Sequence, residues 1–477
     1  MAEGFVDQPA AEGQQASQLE RALDRIGTTA AHKQILLLVL IGVLFDSFEQ
    51  NTIGIAGPML RQHWGLSVAD IGILNTITFG AAATGRLLSG YIADRYGRRV
   101  MLGINLLLFT LGSAICALSP SYLLLAVGRA IVGFGLGGEI SVAVTMLAEF
   151  CSSRFRGTAV GLVNVGAGGM GNFLAPAFGL LVYALFPGPD GWRWLFGVLA
   201  LPALLIVFYR RLIPETPRYL VSVGKIDEAN RVLSVLASGR LARGNEPAEA
   251  YITSDATTLA PPRRRVPVSE IFRGPFARRT IPVAVAIWMS YGAQITVLTL
   301  LPTILVAQGH TLTASLLSTM VIQFGSFLGA LAASAAGYYM PRRLALTAGA
   351  SLACLAALAL GFVATGITPV LLLGAVFQFF VLFLNTTIWI YAPELYPTRI
   401  RGFGVAFILA TGTAAGALTP ILSGRLFEAY GFGGVFGLIA LMYAIFAVSI
   451  RFSPETFGRP LEEVDVPAPT RAAEATA

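Results

Sequence analysis

The sequence predicts an all-α membrane protein of twelve transmembrane helices arranged as two six-helix bundles. Three observations carry this. Apolar stretches of about twenty residues, enough to cross a hydrocarbon core, recur through all 477 residues. Basic residues gather on alternate connections. The second half repeats motifs of the first at a steady offset.

Composition sets the class. The chain is 55% apolar and 12% charged, whereas soluble domains carry about 25% charged residues. The 52 glycines suit helices packed closely in lipid. The three cysteines, Cys116, Cys151 and Cys354, are far apart, without ligand or disulfide spacing. No metal or cofactor is expected. Residues 1–18 are polar and lack the apolar core of a secretory signal.

The apolar stretches place spans near 34–57, 69–92, 100–118, 121–148, 158–186, 193–213, 280–307, 314–337, 344–365, 369–393, 403–427 and 433–452. This gives an N-terminal tail 1–33, a bundle 34–213, a central loop 214–279, a bundle 280–453 and a C-terminal tail 454–477. Residues 1–18 and those from about 464 read as disordered. Residues 19–29 read as an amphipathic helix lying on the membrane, 224–236 as a loop helix, and 238–268 as linker. The linker's Pro261-Pro-Arg-Arg-Arg265 run suits anionic headgroups.

Of the 33 Lys and Arg residues, only Arg61, Arg193 and Arg425 fall on the far side, and Arg86 and Arg129 lie within spans. Such bias puts both termini in the cytoplasm of a multi-pass cell-membrane protein. It also accounts for the net charge of +7 without nucleic acid.

Four matches tie the halves together. Glu149-x4-Arg154-x-Arg156-Gly157 returns as Glu394-x4-Arg399-x-Arg401-Gly402, 245 residues on. Arg98-Arg99 returns as Arg342-Arg343 and Pro176 as Pro420, both at 244. Pro214-Glu215-Thr216 returns as Pro454-Glu455-Thr456 at 240. Paired bundles of this kind enclose a midplane site.

Between the second and third spans, Gly90-x-x-x-Asp94-Arg95-x-Gly97-Arg98-Arg99 closely resembles the signature loop of the major facilitator superfamily. Its second-half counterpart, Gly337-Tyr-Tyr-Met-Pro-Arg342-Arg343, lacks the Asp-Arg. Pro214-Glu215-Thr216-Pro217-Arg218-Tyr219, Gly191-Trp192-Arg193, Pro393-Glu394-x-x-Pro397 and Pro454-Glu455-Thr456-x-Gly458 resemble the branch holding sugar porters, niacin and aromatic-acid symporters, and the synaptic-vesicle glycoprotein. Gly135-x-Gly137-Gly138-Glu139 and Asp46-Ser-Phe-Glu49 are most similar to the niacin and aromatic-acid symporters. The resemblance spans roughly residues 20–465. It implies the major facilitator fold, alternating access and a monomer taking a small molecule and protons. The seventh span, Trp288 to Gln294, lacks the paired glutamines of sugar porters. The fifth lacks the Gly-Pro pairing of drug–proton antiporters. No phosphate-binding loop is present, so nothing suggests ATP drive.

Charge at bilayer depth is costly and marks function. Asp46 and Glu49 share one face of the first helix near its middle, and Arg129 reaches similar depth in the fourth. We expect Glu49, assisted by Asp46, to bind the proton, with Arg129 as partner; the pair resembles the helix-one acid and helix-four arginine of proton-coupled relatives. The alternative is a static ion pair. His32, His63 and His310 sit at or beyond helix ends, which argues against a histidine relay. Arg86 and Glu139 form a second expected buried pair, or one of them meets an anionic substrate. Glu149 with Arg154 and Arg156, and Glu394 with Arg399 and Arg401, read with the signature loop as gate charges. Phe48, Asn164, Tyr291, Gln294, Asn385 and Trp389 are the candidate substrate contacts, since rings beside amides suit a flat, partly polar ligand. The expected function is proton-coupled uptake of a small organic acid, aromatic or nicotinate-like. A sugar or polyol symporter, an efflux antiporter and a non-transporting receptor remain alternatives.

Overall fold

The computed structural model describes residues 18–201, 212–241, 249–253, 271–337, 339–364, 366–396 and 398–457. The expected disordered ends, most of the 238–268 linker and the Pro261–Arg265 run lie outside the described residues. So do the side chains of Asp94, Arg154, Arg156, Arg399 and Arg401.

The described residues are helical throughout, without strands. The first bundle holds α1 (Ala30–Trp64), α2 (Val68–Tyr96), α3 (Arg98–Leu118) and α4 (Tyr122–Phe150). It continues with α5 (Ser153–Asn164, a π-helical Val165–Gly171, then Asn172–Leu185) and the described part of α6 (Gly191–Leu199). The second holds α7 (Gly274–Ala307), α8 (Leu312–Ala336), α9 (Arg342–Phe362) and α10 (Ile367–Glu394). Its last two helices, α11 and α12, run through Thr398–Ser449 and are divided at Gly431, whose φ of 65° breaks the helix. Leu107, Leu111, Leu355, Leu372 and Val448 are exposed on the outer surface, the apolar belt that lipid requires.

Small residues set the helix spacing. A Cβ at Gly133 or Gly137 would lie 2.0 or 1.9 Å from the carbonyl oxygens of Thr78 or Ala82. Hence α4 can approach α2 this closely only with glycine there. On the opposite side of α4, a Cβ at Gly135 would strike the Asn105 carbonyl of α3 at 2.5 Å. These contacts bring α2, α3 and α4 together around Arg129.

One end of the molecule carries the short helices Pro217–Ser222 and Ile226–Ser238; we call it the loop face. The helix expected on the membrane surface is instead packed on protein here. It spans 18–26, and Leu19, Ala22 and Leu23 are buried in a cluster with Ala229, Leu233 and Leu236 of the loop helix. Glu20 pairs with Arg218 at 3.2 Å. Its apolar face therefore meets protein rather than lipid. Part of the expected linker is also anchored, because Asn230 exchanges two 2.9 Å hydrogen bonds with the backbone of Ile252. At the far end, Arg193 reaches back to the carbonyls of Ala117 and Ser119, 3.2 and 2.6 Å away. It thereby satisfies orphan carbonyls at the end of α3.

The far halves of the bundles interlock. A Cβ at Gly54 of α1 would lie 2.1 Å from the Leu298 carbonyl of α7, and one at Gly424 of α11 would lie 2.9 Å from Ala69 of α2. Asn75 donates to the Gly416 carbonyl at 3.0 Å, and Thr76 to that of Ala417.

Candidate functional site

A cavity lies between the bundles on the loop side of that closure. Its wall includes Ser47, Gln50, Arg86, Asn164 and Asn172 from the first bundle, and Tyr291, Gln294, Asn385 and Trp389 from the second. Five of the six expected substrate contacts are thus brought together. Phe48 is not among the lining residues; it stacks on Phe178 with ring centroids 4.8 Å apart. Helical geometry explains this, because successive side chains point about 100° apart and the cavity sees its neighbour Ser47. Ser47, Gln50 and Asn172 were missed by sequence reasoning, and only their depth could have flagged them.

Local sequence shapes the wall. The glycine-rich Val165–Gly171 turn is π-helical, a form common at functional sites. A Cβ at Gly171 would come within 2.4 Å of Ser47, so the bulge brings α5 onto α1. The hydroxyl of Ser47 donates to the Ala167 carbonyl at 3.0 Å, and Asn51 donates to Asn172 at 2.9 Å. Across the cavity, Ser290 donates to the Asn385 carbonyl oxygen at 2.7 Å, and the Asn385 amide donates to Gln294 at 2.5 Å. Three polar groups are thereby held in fixed orientation.

Among the described residues, Arg86 is the one charged residue in the lining. Its Nε donates to the Gly137 carbonyl at 3.2 Å and its Nη1 to the Leu409 carbonyl of α11 at 3.3 Å. The expected ion pair with Glu139 is not formed; the guanidinium is aimed at backbone instead. Tyr291 and Asp46 stand within its electrostatic reach.

Glu49 and Arg129 are brought into direct contact, 0% and 1% exposed, in the interior of the first bundle. Ser113 also approaches Glu49 at 3.4 Å. Arg129 Nε donates to Thr78 at 3.0 Å, and its guanidinium stands 5.8 Å from the Phe196 ring centre. Asp46 does not join this pair. Its Oδ2 accepts from Gln50 at 3.1 Å, while Oδ1 is buried without a partner.

Among the described residues, the loop-face glutamates are held by arginines and threonines of the connecting segments. Glu149 meets Arg98 at 3.1 Å, and Thr216 donates to it at 2.6 Å. Glu215 accepts the backbone N–H groups of Arg98 and Arg99 at 2.9 and 3.2 Å. Gly97 is obligatory there, with φ of 102° and a virtual Cβ 2.2 Å from the Glu215 carboxylate. The second half repeats the design despite its degenerate loop. Glu394 meets Arg342 at 3.0 Å, Thr456 donates to it at 2.5 Å, and Glu455 accepts from the backbone of Arg342 and Arg343 at 2.8 and 2.9 Å. Gly90 faces open space, and Arg95 is exposed. Sequence reasoning missed the roles of Thr216, Glu215 and their counterparts, although the repeated Pro-Glu-Thr was the signal.

The family model for sugar (and other) transporters matches residues 19–467. A niacin transporter of Acinetobacter baylyi is 28% identical over 437 residues, covering 91% of this chain and 96% of that one. A gallate transporter of Pseudomonas putida is 28% identical over 407 residues, covering 82% and 85%. In fold, the chain is similar to the crystal structure of a D-xylose–proton symporter, with TM-score 0.70 at 20% identity over 89% of this chain and 98% of that one.

Proposed function

The chain belongs to the sugar (and other) transporter family, and we propose that within it the protein carries a small organic acid, aromatic or nicotinate-like, together with protons. The observation that supports the acid is Arg86. A single guanidinium in a wall otherwise made of amides, hydroxyls, rings and aliphatic groups favours one anionic group on a flat ligand. Charge-assisted hydrogen bonds to a carboxylate are the strong ones. Tyr291 and Trp389 supply the faces for a ring, and Asn164, Gln294 and Asn385 supply amides for its polar edge. The named substrates of the niacin and gallate relatives point the same way.

Proton coupling is assigned to Glu49 with Arg129. Contact with a guanidinium favours the charged form of a carboxylate; if the bundle rearranges and withdraws Arg129, desolvation favours the protonated form. Proton uptake is then tied to the conformational state. With the loop face in the cytoplasm, the cavity described here lies on the inward side of the closure. The gate is assigned to the loop-face charges, with Gly90, Asp94, Arg95, Arg154, Arg156, Arg399 and Arg401 among them.

The test is uptake of labelled nicotinate, benzoate and hydroxybenzoate into proteoliposomes with and without an inward proton gradient, for wild type and Glu49→Gln. Accumulation that needs the gradient, with Glu49→Gln keeping exchange but losing accumulation, supports both assignments. Accumulation unchanged in Glu49→Gln removes Glu49 from the coupling. Movement of a sugar in place of every acid sinks the substrate assignment.

A further inference from the structure

Three side-chain amides of the cavity wall have one end tied to a neighbour and the other end without a partner among the described residues. Gln294 accepts from Asn385 at 2.5 Å, and Asn172 accepts from Asn51 at 2.9 Å. Each uses its oxygen in this way, so each leaves its N–H groups to the cavity it lines. Gln50 is tied the other way round. Its Nε2 donates to Asp46 Oδ2 at 3.1 Å, one helical turn earlier on α1. Its oxygen is what remains for the cavity.

The partners differ in kind. Asn385 is pinned by Ser290 at 2.7 Å, and Asn51 also donates to the Ser47 carbonyl at 2.8 Å; neither amide titrates. Asp46 is a carboxyl, which accepts when ionised and can donate when protonated. It is 1% exposed and is not part of the cavity lining. Its Oδ1 is buried without a partner, and among the described residues no ion pair reaches it. An isolated buried charge is costly, so a proton is the partner open to this acid. The titratable or charged groups whose fields reach it are Glu49 on α1, Arg86 on α2, Glu139 on α4 and Tyr291 on α7. The two ends of an amide have nearly one shape, and a half-turn about its terminal torsion exchanges them.

We propose that Gln50 is the residue through which the cavity senses a proton on Asp46. With Asp46 ionised, Gln50 donates to it and shows the cavity an oxygen, whose lone pairs repel a carboxylate. One proton taken from water onto Asp46 Oδ2 reverses that bond. The O–H then donates to Gln50 Oε1, the amide turns, and Nε2 joins Arg86, Gln294 and Asn172 as a donor to the ligand. An acid outside the cavity thereby sets the affinity inside it. This switch is separate from Glu49 and Arg129, and its link to the substrate rests on the reading of the cavity as an anion site.

Infrared difference spectra of the substrate-free, full-length protein in lipid nanodiscs, acid minus alkaline, test the reversal. In wild type a side-chain amide C=O stretch should move to lower frequency on acidification, because the Gln50 oxygen gains a donor. The shift should be lost in both Gln50→Met and Asp46→Asn. No shift in wild type, or a shift that survives either replacement in folded protein, overturns the switch. The two variants approach it from opposite ends, so misfolding of one does not end the test. The link is read from equilibrium binding of benzoate and nicotinate against pH, over a range in which both stay ionised. Wild type should bind about ten- to a hundredfold more weakly at the alkaline end, the loss of one hydrogen bond to a charged group. Gln50→Met and Asp46→Asn should each flatten that slope, and the double variant should flatten it no further. A wild-type slope in Gln50→Met means that the Asp46 charge acts through space, and overturns the role of Gln50. If neither acid binds at any pH while the amide shift behaves as expected, the switch stands and the anion reading of the cavity falls.

Discussion

The two bundles are alike at their loop face and unlike in their interior. Arg98, Glu149, Glu215 and Thr216 of the first are matched by Arg342, Glu394, Glu455 and Thr456 of the second, down to the N–H groups each glutamate accepts. Helix spacing is matched as well. A Cβ at Gly85 would meet the Phe134 carbonyl at 2.1 Å, and one at Gly329 the Phe379 carbonyl at 2.0 Å, at the same repeat offset. In the interior the match ends. Asp46, Glu49, Arg86, Arg129 and Glu139 are buried in the first bundle, whereas among the described residues the second buries no carboxylate. Its polar interior is neutral and includes Ser290, Gln294, Gln323, Gln378 and Asn385. The difference teaches that duplication kept the contacts any six-helix bundle needs. Charge at bilayer depth is expensive, and only the half that our assignments give to protons and anions carries it.

The largest effect should come from splitting the sealed pair. Arg129→Met leaves the Glu49 carboxylate alone and should cost about 3–5 kcal/mol, read as a loss of thermal stability in detergent. Adding Glu49→Gln should restore most of that stability without restoring accumulation. Second, Arg86→Gln should weaken binding of the transported acid by about 1.5–3 kcal/mol, roughly ten- to a hundredfold, in equilibrium binding. Asn385→Ala in the opposite wall should cost less and leave the pH profile of binding unchanged. If Asn385→Ala shifts that profile, the division between the halves is wrong.

Smaller effects test the likeness. Gly85→Ala and Gly329→Ala should each destabilise by about 1–3 kcal/mol, and equally; a large inequality in their melting temperatures would break the pseudo-symmetry. Smallest is a pH effect at Glu215 on the loop face of the first bundle. Burial holds Glu215 above the ordinary glutamate range, although the N–H groups of Thr216, Arg99 and Arg98 and the Arg98 charge pull it down. The folded state thus takes up this proton at higher pH than the unfolded state. Its contribution to stability should increase as pH falls through that window, and be absent from Glu215→Gln in melts across pH.

Much of this was legible in one dimension. Hydropathy foretold the spans. The repeat foretold two bundles, and Glu49 with Arg129 could be matched by depth. Depth alone misled for Arg86 and Glu139, because the direction a side chain takes around its helix decides whether two groups at one level meet. The same rotation separates Phe48, stacked on Phe178, from Ser47 and Gln50, which line the cavity. The helix at 18–26 shows another limit. Its apolar stripe was readable, but a stripe does not say whether lipid or protein covers it.

The sequence by itself determined the membrane class, the number of helices, the duplicated plan and the residues carrying charge into the bilayer. All follow from composition and spacing along the chain. Only the tertiary structure decided which charges pair, which side chains face the cavity, and that Glu215 reaches back 117 residues to the start of α3. Those outcomes depend on how each helix is rotated and how closely its glycines let it approach its neighbours, and neither is set until all the helices pack together.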